Sequence, residues 1–232
     1  MSKVRLLILA KYPRPGKVKT RLAVDLGDEL ACSMYSAMVR SALEQAKLSG
    51  FDTSLFVSPS ESLAQFASVF GEERTINPQV SGDIGKKMEA ALLHSQENQP
   101  NSPCLLIGTD CPSLKATHLM QAAEILETHD VVLGPSLDGG YYLIGFSTEG
   151  FRKHRESDVN IFEDISWSTP SVFKETKSKL ESGGFRYGCA PTLNDLDTLD
   201  DVMNCPEGKS LMAQLGTSPS TFGSNDQGSR KT

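Results

Sequence analysis

The sequence predicts an α/β fold built on a mostly parallel sheet with helices on its faces. Three observations carry this. Short apolar runs at residues 4–10, 52–58, 105–107 and 130–135 are bounded by turn residues and are too brief for helices, so they read as buried strands. Segments with helical periodicity alternate with them, which is the order that makes a parallel sheet. The loops that follow the runs hold an unusual share of cations, aspartates and glycines, and in open α/β sheets ligands bind beyond the carboxyl ends of the strands. At 232 residues one domain is expected, over residues 1–216, with 217–232 a disordered tail. That tail is rich in Gly, Ser, Asn and Asp and has little to bury.

Taken in order, the run at 4–10 is a first, central strand. Residues 11–22 follow it with two prolines, a glycine and five cations within eleven residues: Lys11, Arg14, Lys17, Lys19 and Arg21. A basic loop between a first strand and a first helix is suited to an anion, through side chains and free helix N–H groups. It is not a P-loop, and G-x-G-x-x-G is absent from it, which argues against a dinucleotide-binding dehydrogenase. Residues 30–48 make an amphipathic helix, with Leu30, Met34, Met38 and Ala42 in one stripe and Ala31, Tyr35, Val39 and Leu43 beside it, read as core. Strand 52–58 and a helix over 60–70 come next. Gln79 and the turn Gly82-Asp83 precede a helix over 83–96; Gln79 is a candidate reader of a base edge, Gly82 allows close backbone approach, and Asp83 serves equally as a helix cap.

The stretch Leu105-Leu106-Ile107-Gly108-Thr109-Asp110-Cys111-Pro112 organises the whole. It leaves Asp110 just past a strand end, where a carboxylate can hold Mg²⁺ or Mn²⁺ and through it a diphosphate; the competing role is a cap for the helix at 115–128. Strand 130–135 leads to Asp138-Gly139-Gly140, an exposed carboxylate on a turn, and then to a strand over 141–146. Residues 151–167 read as loops, in which Phe162 and Trp167 either line a pocket or close the core. A helix over 170–182 is expected to start with Thr169 as cap and Pro170 in its first turn, followed by a strand at 185–189. Asn194 to Asp201 contains four aspartates in eight residues; Thr198 and Asp201 fit a capping box, which leaves Asp195 and Asp197 repelling each other unless a cation sits between them.

Composition narrows the classes. A net charge of −6 argues against general nucleic-acid binding. Five cysteines, odd in number and without a C-x-x-C pair, point to reduced thiols and a cytoplasmic protein. No apolar run is long enough to span a bilayer. The basic loop, Asp110, Asp138 and the Asp195/Asp197 pair converge on one sheet edge, and together they ask for a phosphate-bearing ligand and a divalent metal.

Five motifs occur in order: A-K-x-P-x-P-G-x-x-K-T-R-L at residues 10–22, G-D-I-G at 82–85, G-T-D-C-P at 108–112, D-G-G-Y-Y-L-I-G at 138–145 and D-L-D-T-x-x-D at 195–201. In these the chain resembles the rSAM/selenodomain-associated transferases, also described as arsenosugar-biosynthesis-type glycosyltransferases. The resemblance, over residues 4–215, implies the GT-A nucleotide-diphospho-sugar transferase fold. From the residues themselves, Mg²⁺ or Mn²⁺ is expected at Asp110, Asp195 and Asp197. The expected catalytic residues are Asp138, Lys19 and Arg21, with substrate contacts from Lys11, Gly16, Lys17, Gln79, Gly82, Asp83, Gly139 and Gly140. The first and last motifs are also similar to those of cofactor guanylyltransferases. Whole-chain resemblance favours glycosyl transfer from a nucleotide sugar to a small acceptor, and this is the main expectation. The cation-rich first loop favours transfer of a nucleotidyl group from a nucleoside triphosphate to a phosphorylated small molecule. A non-catalytic nucleotide-sugar binder is the third possibility.

Overall fold

The computed structural model describes residues 3–71 and 74–217, so the expected tail, apart from Thr217, lies outside the described residues. Its centre is a seven-stranded sheet in the order β3-β2-β1-β4-β6-β5-β7. The strands are β1 (Arg5–Lys11), β2 (Asp52–Ser58), β3 (Thr75–Pro78), β4 (Cys104–Ile107), β5 (Val131–Pro135), β6 (Tyr141–Phe146) and β7 (Tyr187–Cys189). All pairings are parallel except those of β6, which runs antiparallel to both β4 and β5. The cause is local: residues 136–140 are too few for a crossover and can only turn the chain back.

Both faces of the sheet are covered. Along β1, Leu6 and Ile8 enter one core and Leu7 and Leu9 the other, so the strand reads as an unbroken apolar run. The first core is closed by α2 (Asp28–Ser49), α3 (Leu63–Phe70) and α5 (Ala116–Ile125). The second is closed by α4 (Ile84–Asn98), α6 (Thr148–Glu156) and α7 (Val172–Ser182). A third cluster joins α1 (Thr20–Leu26) and α2 to α8 (Leu199–Asn204) and α9 (Pro206–Gln214) through Leu22, Met34, Met38, Leu196, Val202 and Met212. It ties the end of the chain to the first loop.

Several elements differ from the sequence-based expectation. Residues 151–156, expected to be loop, belong to α6 (Thr148–Glu156); Ser147 caps it by accepting from the Gly150 N–H, and Phe151 and His154 give it a narrow buried stripe amid charged neighbours. α7 starts at Val172, two residues later than expected, with Ser171 in the cap position; the Thr169 hydroxyl instead donates to the Ser166 carbonyl at 2.6 Å, holding Pro170 in the preceding turn. β3 has no clear sequence signal, being a four-residue edge strand with no fully buried position. Residues 60–62 form a 3₁₀ turn before α3. The five cysteines are free thiols. Among the described residues no helix is long and apolar enough to cross a membrane.

Candidate active site

A cleft of about 790 Å³ opens beyond the carboxyl ends of β1 and β4 and the start of β6. Its lining combines a charged group, Lys19, Arg21, Asp110, Asp138, Asp195 and Asp197, with a largely apolar one, Ile84, Met88, Tyr141, Trp167 and Val172.

Lys19 is the hub of the charged group. It occupies the cap position of α1 in the left-handed region (φ 47°), and α1 is held by burial of Leu22 and Leu26. From there its ammonium lies 2.6 Å from Asp110 Oδ1 and 2.7 Å from Asp197 Oδ1, with a side chain only 4% exposed. Burial alone would depress the Lys19 pKa, but the two carboxylates more than offset it and hold the group well above the ordinary lysine range. Burial likewise pushes Asp197 up, and Lys19 with Arg21, 3.8 Å away, brings it below the ordinary value. The cation expected near Asp197 is therefore, in part, a lysine of the chain itself.

Asp110 sits in the loop after β4 and is not a helix cap, because α5 begins at Ala116 behind Lys115. Its carbonyl accepts from Leu196 N–H at 2.9 Å, which draws the Asp195-Leu196-Asp197 segment to its side. Leu196 is fully buried, so the alternation of an extended chain turns its two aspartate neighbours the other way, toward the cleft. Tyr35, which the sequence assigned to the core, has a second role. Its buried phenol oxygen accepts from Lys11 N–H (2.8 Å) and from the Thr109 hydroxyl (3.1 Å), so it locks the start of the basic loop to the residue before Asp110. Its position in an apolar helix stripe gave no sign of this.

Asp195 is the unsatisfied group. Its Oδ1 is buried without a hydrogen-bond partner. Burial, then the nearby Asp138 and Asp110, push its pKa up to about 7. Asp138 lies across the cleft in a tight turn, where its Oδ1 accepts from the Ser136 hydroxyl (2.5 Å) and Gly140 N–H (2.9 Å). Gly139, at φ +89°, lets this turn pack on Pro170; a Cβ there would stand 2.2 Å from the Pro170 carbonyl oxygen.

The sequence-predicted residues thus divide. Lys11, Lys19, Arg21, Gln79, Asp110, Asp138, Gly140, Asp195 and Asp197 line the cleft. Gly16, Lys17, Gly82, Asp83 and Gly139 do not. Lys17 turns outward with Arg14 into a smaller adjoining hollow, and Gly16 sits in the turn before it. Asp83 caps α4, accepting from Lys86 N–H at 2.9 Å. Gln79 gives its amide N–H groups to the carbonyls of Ala10 and Phe56, both at 2.9 Å, so only its side-chain oxygen is left to read a base. Trp167 lines the cleft against Gly85, whereas Phe162 belongs to the core. Asp110, Asp195 and Asp197 are not assembled into a cage: among the described residues no three His, Cys, Asp or Glu side chains are grouped to hold a metal. Lys19 standing between Asp110 and Asp197 is the reason.

Residues 39–169 match the model of a family described as an uncharacterized protein conserved in bacteria (DUF2064). The chain belongs to this family. The DUF2064 match runs from the middle of α2 to the turn before α7, and so includes Asp110, Asp138 and Trp167. The structure is similar to that of a putative nucleotide-diphospho-sugar transferase from Desulfovibrio desulfuricans G20, at 27% identity, a TM-score of 0.83, and coverage of 93% of this chain and 96% of that one. A Mycobacterium tuberculosis H37Rv protein in complex with manganese shares the fold at 17% identity and a TM-score of 0.53, over 88% of this chain and 97% of that one. Among curated proteins, the chain is 28% identical over 130 residues to a 3-phospho-D-glycerate guanylyltransferase of Phenylobacterium zucineum, a match over 54% of this chain and 59% of that protein's length. The fold of this DUF2064 chain is therefore that of the nucleotide-diphospho-sugar transferases.

Proposed function

We propose that the protein is a metal-dependent nucleotidyltransferase, which joins the nucleoside monophosphate part of a triphosphate to an oxyanion of a small molecule. The observation that carries this reading is Lys19, buried against Asp110 and Asp197 at the base of a cationic loop, with Arg21 and Lys11 beside it in the cleft. In nucleotidyl transfer an acceptor oxygen attacks the α-phosphorus, the new P–O bond forms, and the bond from the α-phosphorus to the bridging oxygen breaks, with pyrophosphate departing. The departing group is highly charged, and preorganised cations at the place where that charge develops are what lowers such a barrier. Lys19 and Arg21 are set for that task. Resemblance to a guanylyltransferase over just over half the chain supports the same reading.

The residues fit a divalent ion. Asp195 carries an unpaired buried oxygen among Asp110 and Asp138, an all-oxygen donor set. Mg²⁺ and Mn²⁺ favour such donors, and Mg²⁺ commonly uses one or two carboxylates together with substrate phosphates instead of a full protein cage. Asp110 and Asp195 would hold the ion, with Asp197 kept in place by Lys19. When bound, the ion neutralises phosphate charge as a Lewis acid. The manganese in the mycobacterial relative is in line with this. Asp138, which lines the cleft and engages only its Oδ1 within the turn, would orient the acceptor, and the unengaged side-chain oxygen of Gln79 would read the base.

Glycosyl transfer from a nucleotide sugar is the second reading, favoured by the description of the Desulfovibrio relative and by the five-motif resemblance to the rSAM/selenodomain-associated transferases. Product analysis separates the two. With Mg²⁺ and each nucleoside triphosphate, pyrophosphate release dependent on a phosphorylated or carboxylated acceptor is expected. Release of nucleoside diphosphate from a nucleotide sugar, with no pyrophosphate from any triphosphate, would replace this reading with the second.

A further inference from the structure

The cleft contains one more cation, Lys87, which the acid cluster does not use. It lies in the first turn of α4, on the face that also brings Ile84 and Met88 to the cleft, as the spacing i, i+3, i+4 requires. It is half-buried, and among the described residues it makes no salt bridge. The helix dipole disfavours a cation at this position, so Lys87 does not serve the helix. Nor is it paired with the aspartates of the cleft: Asp110 and Asp197 take Lys19 and Arg21, and no carboxylate described lies within salt-bridge distance of Lys87. The cations of the cleft thus form two poles, Lys19 with Lys11 and Arg21 among the aspartates, and Lys87 without a carboxylate partner; Met88 and Tyr141 meet beside the second, the Tyr141 hydroxyl lying 4.0 Å from Met88 Sδ.

We infer that the acceptor is a small molecule with two anionic groups, and that Lys87 selects it. One anionic oxygen attacks the α-phosphorus at the Lys19 pole. The other group, a carboxylate or a phosphate, pairs with Lys87, and the short carbon body between them lies on Met88 and Tyr141. This rests on the nucleotidyl-transfer reading of the same cleft. A half-buried ammonium without a partner is a strong selector, because a neutral group placed against it leaves the charge uncompensated.

The experiment is calorimetric titration of the full chain, loaded with Mg²⁺ and a non-hydrolysable triphosphate analogue, with two probes. 3-Phosphoglycerate carries both charges; glycerol 3-phosphate keeps the phosphate and replaces the carboxylate by a neutral hydroxymethyl group. The wild type is expected to prefer 3-phosphoglycerate by about tenfold, the size of one well-formed charge pairing. Lys87→Met should bring the ratio to about one, and Lys87→Arg should keep it, both with unchanged affinity for the analogue. A ratio unchanged in Lys87→Met, no preference in the wild type, or no binding of either probe would overturn the inference. So would loss of analogue affinity in Lys87→Met with the probe ratio intact, which would make Lys87 a nucleotide contact. These titrations read binding alone, so a failure of pyrophosphate release shows separately and rejects the reaction assignment instead.

Discussion

Two carboxylate-centred clusters stand on opposite sides of the sheet, one where β5 begins and one where β1 and β4 end, and they are built in opposite ways. Asp130 precedes β5 on the side away from the cleft, with a side chain 6% exposed. Its carboxylate accepts from Arg186 N–H and Nη2, both at 3.0 Å, and from Lys153 Nζ at 3.4 Å. Burial raises its pKa, but these donors outweigh burial and hold it below the ordinary carboxylate value. Asp195, on the cleft side, has carboxylates as its nearest charged neighbours and a buried oxygen without a donor. The first cluster is complete within the chain. The second is left incomplete, and an unsatisfied buried acceptor in a cleft is the mark of a place where something else binds.

Substitution at Asp110 should break the contrast most strongly. Asp110→Asn is expected to lower metal-dependent nucleotide binding and turnover on the order of 100-fold, since it removes a carboxylate from where charge must be managed. Circular dichroism should remain close to wild type, because Asp110 is half-exposed and the buried Lys19 keeps Asp197 as a partner. Wild-type turnover in this variant would show that the cleft side is no different in kind from the Asp130 side. Next in size, Lys19→Met should weaken nucleotide binding about tenfold or more, as expected for loss of a buried charge-assisted contact. The same variant should bind Mn²⁺ more tightly in spin-resonance titrations without nucleotide, because the internal cation no longer competes for Asp110. Weaker Mn²⁺ binding would mean that Lys19 positions that carboxylate for the metal.

Asp130→Ala tests the other side. It should cost about 1–3 kcal/mol of stability through the lost acceptors, measured by urea unfolding, and leave nucleotide affinity unchanged. In the wild type, the Asp130 contribution is present above the ordinary carboxylate value near pH 4 and is lost as pH falls through its depressed folded value. The variant should therefore show a shallower decline of stability on the acid side.

The fold was largely legible because β1, β2, β4 and β5 are apolar on both faces, and the helices between them bury clear stripes. α6 escaped because only Gly150, Phe151 and His154 of its residues are buried, and β3 because an edge strand needs few apolar residues. The acid residues of the site were legible as carboxylates beyond strand ends. What sequence order could not give was pairing. Nothing in the spacing says that Lys19, and not Lys17, turns inward, that Asp83 closes a helix, or that the amide of Gln79 is taken up by two backbone carbonyls. Tyr35 and Lys87 lie in helices whose patterns are explained without any ligand, and only tertiary placement brings them to the cleft.

The smallest effect is the one that separates the two clusters by sign. Asp195 has a folded pKa of about 7 against an ordinary value of 3.8. Between those values the folded chain binds the proton more tightly than the unfolded chain, so the group's contribution to stability is lost as pH rises through that window. Asp130 acts in the opposite direction and at lower pH. With a chelator present, Asp195→Asn should remove the decline between about pH 4 and 7 and raise the melting temperature at pH 8, while Asp130→Ala leaves that limb untouched. Adding Mn²⁺ should restore wild-type stability at pH 8 and do little for Asp195→Asn, because the ion and the proton compete for the same oxygen. A wild-type pH profile in Asp195→Asn would show that its buried oxygen is accommodated without cost, and the asymmetry between the two sides would reduce to Asp110 and Lys19 alone.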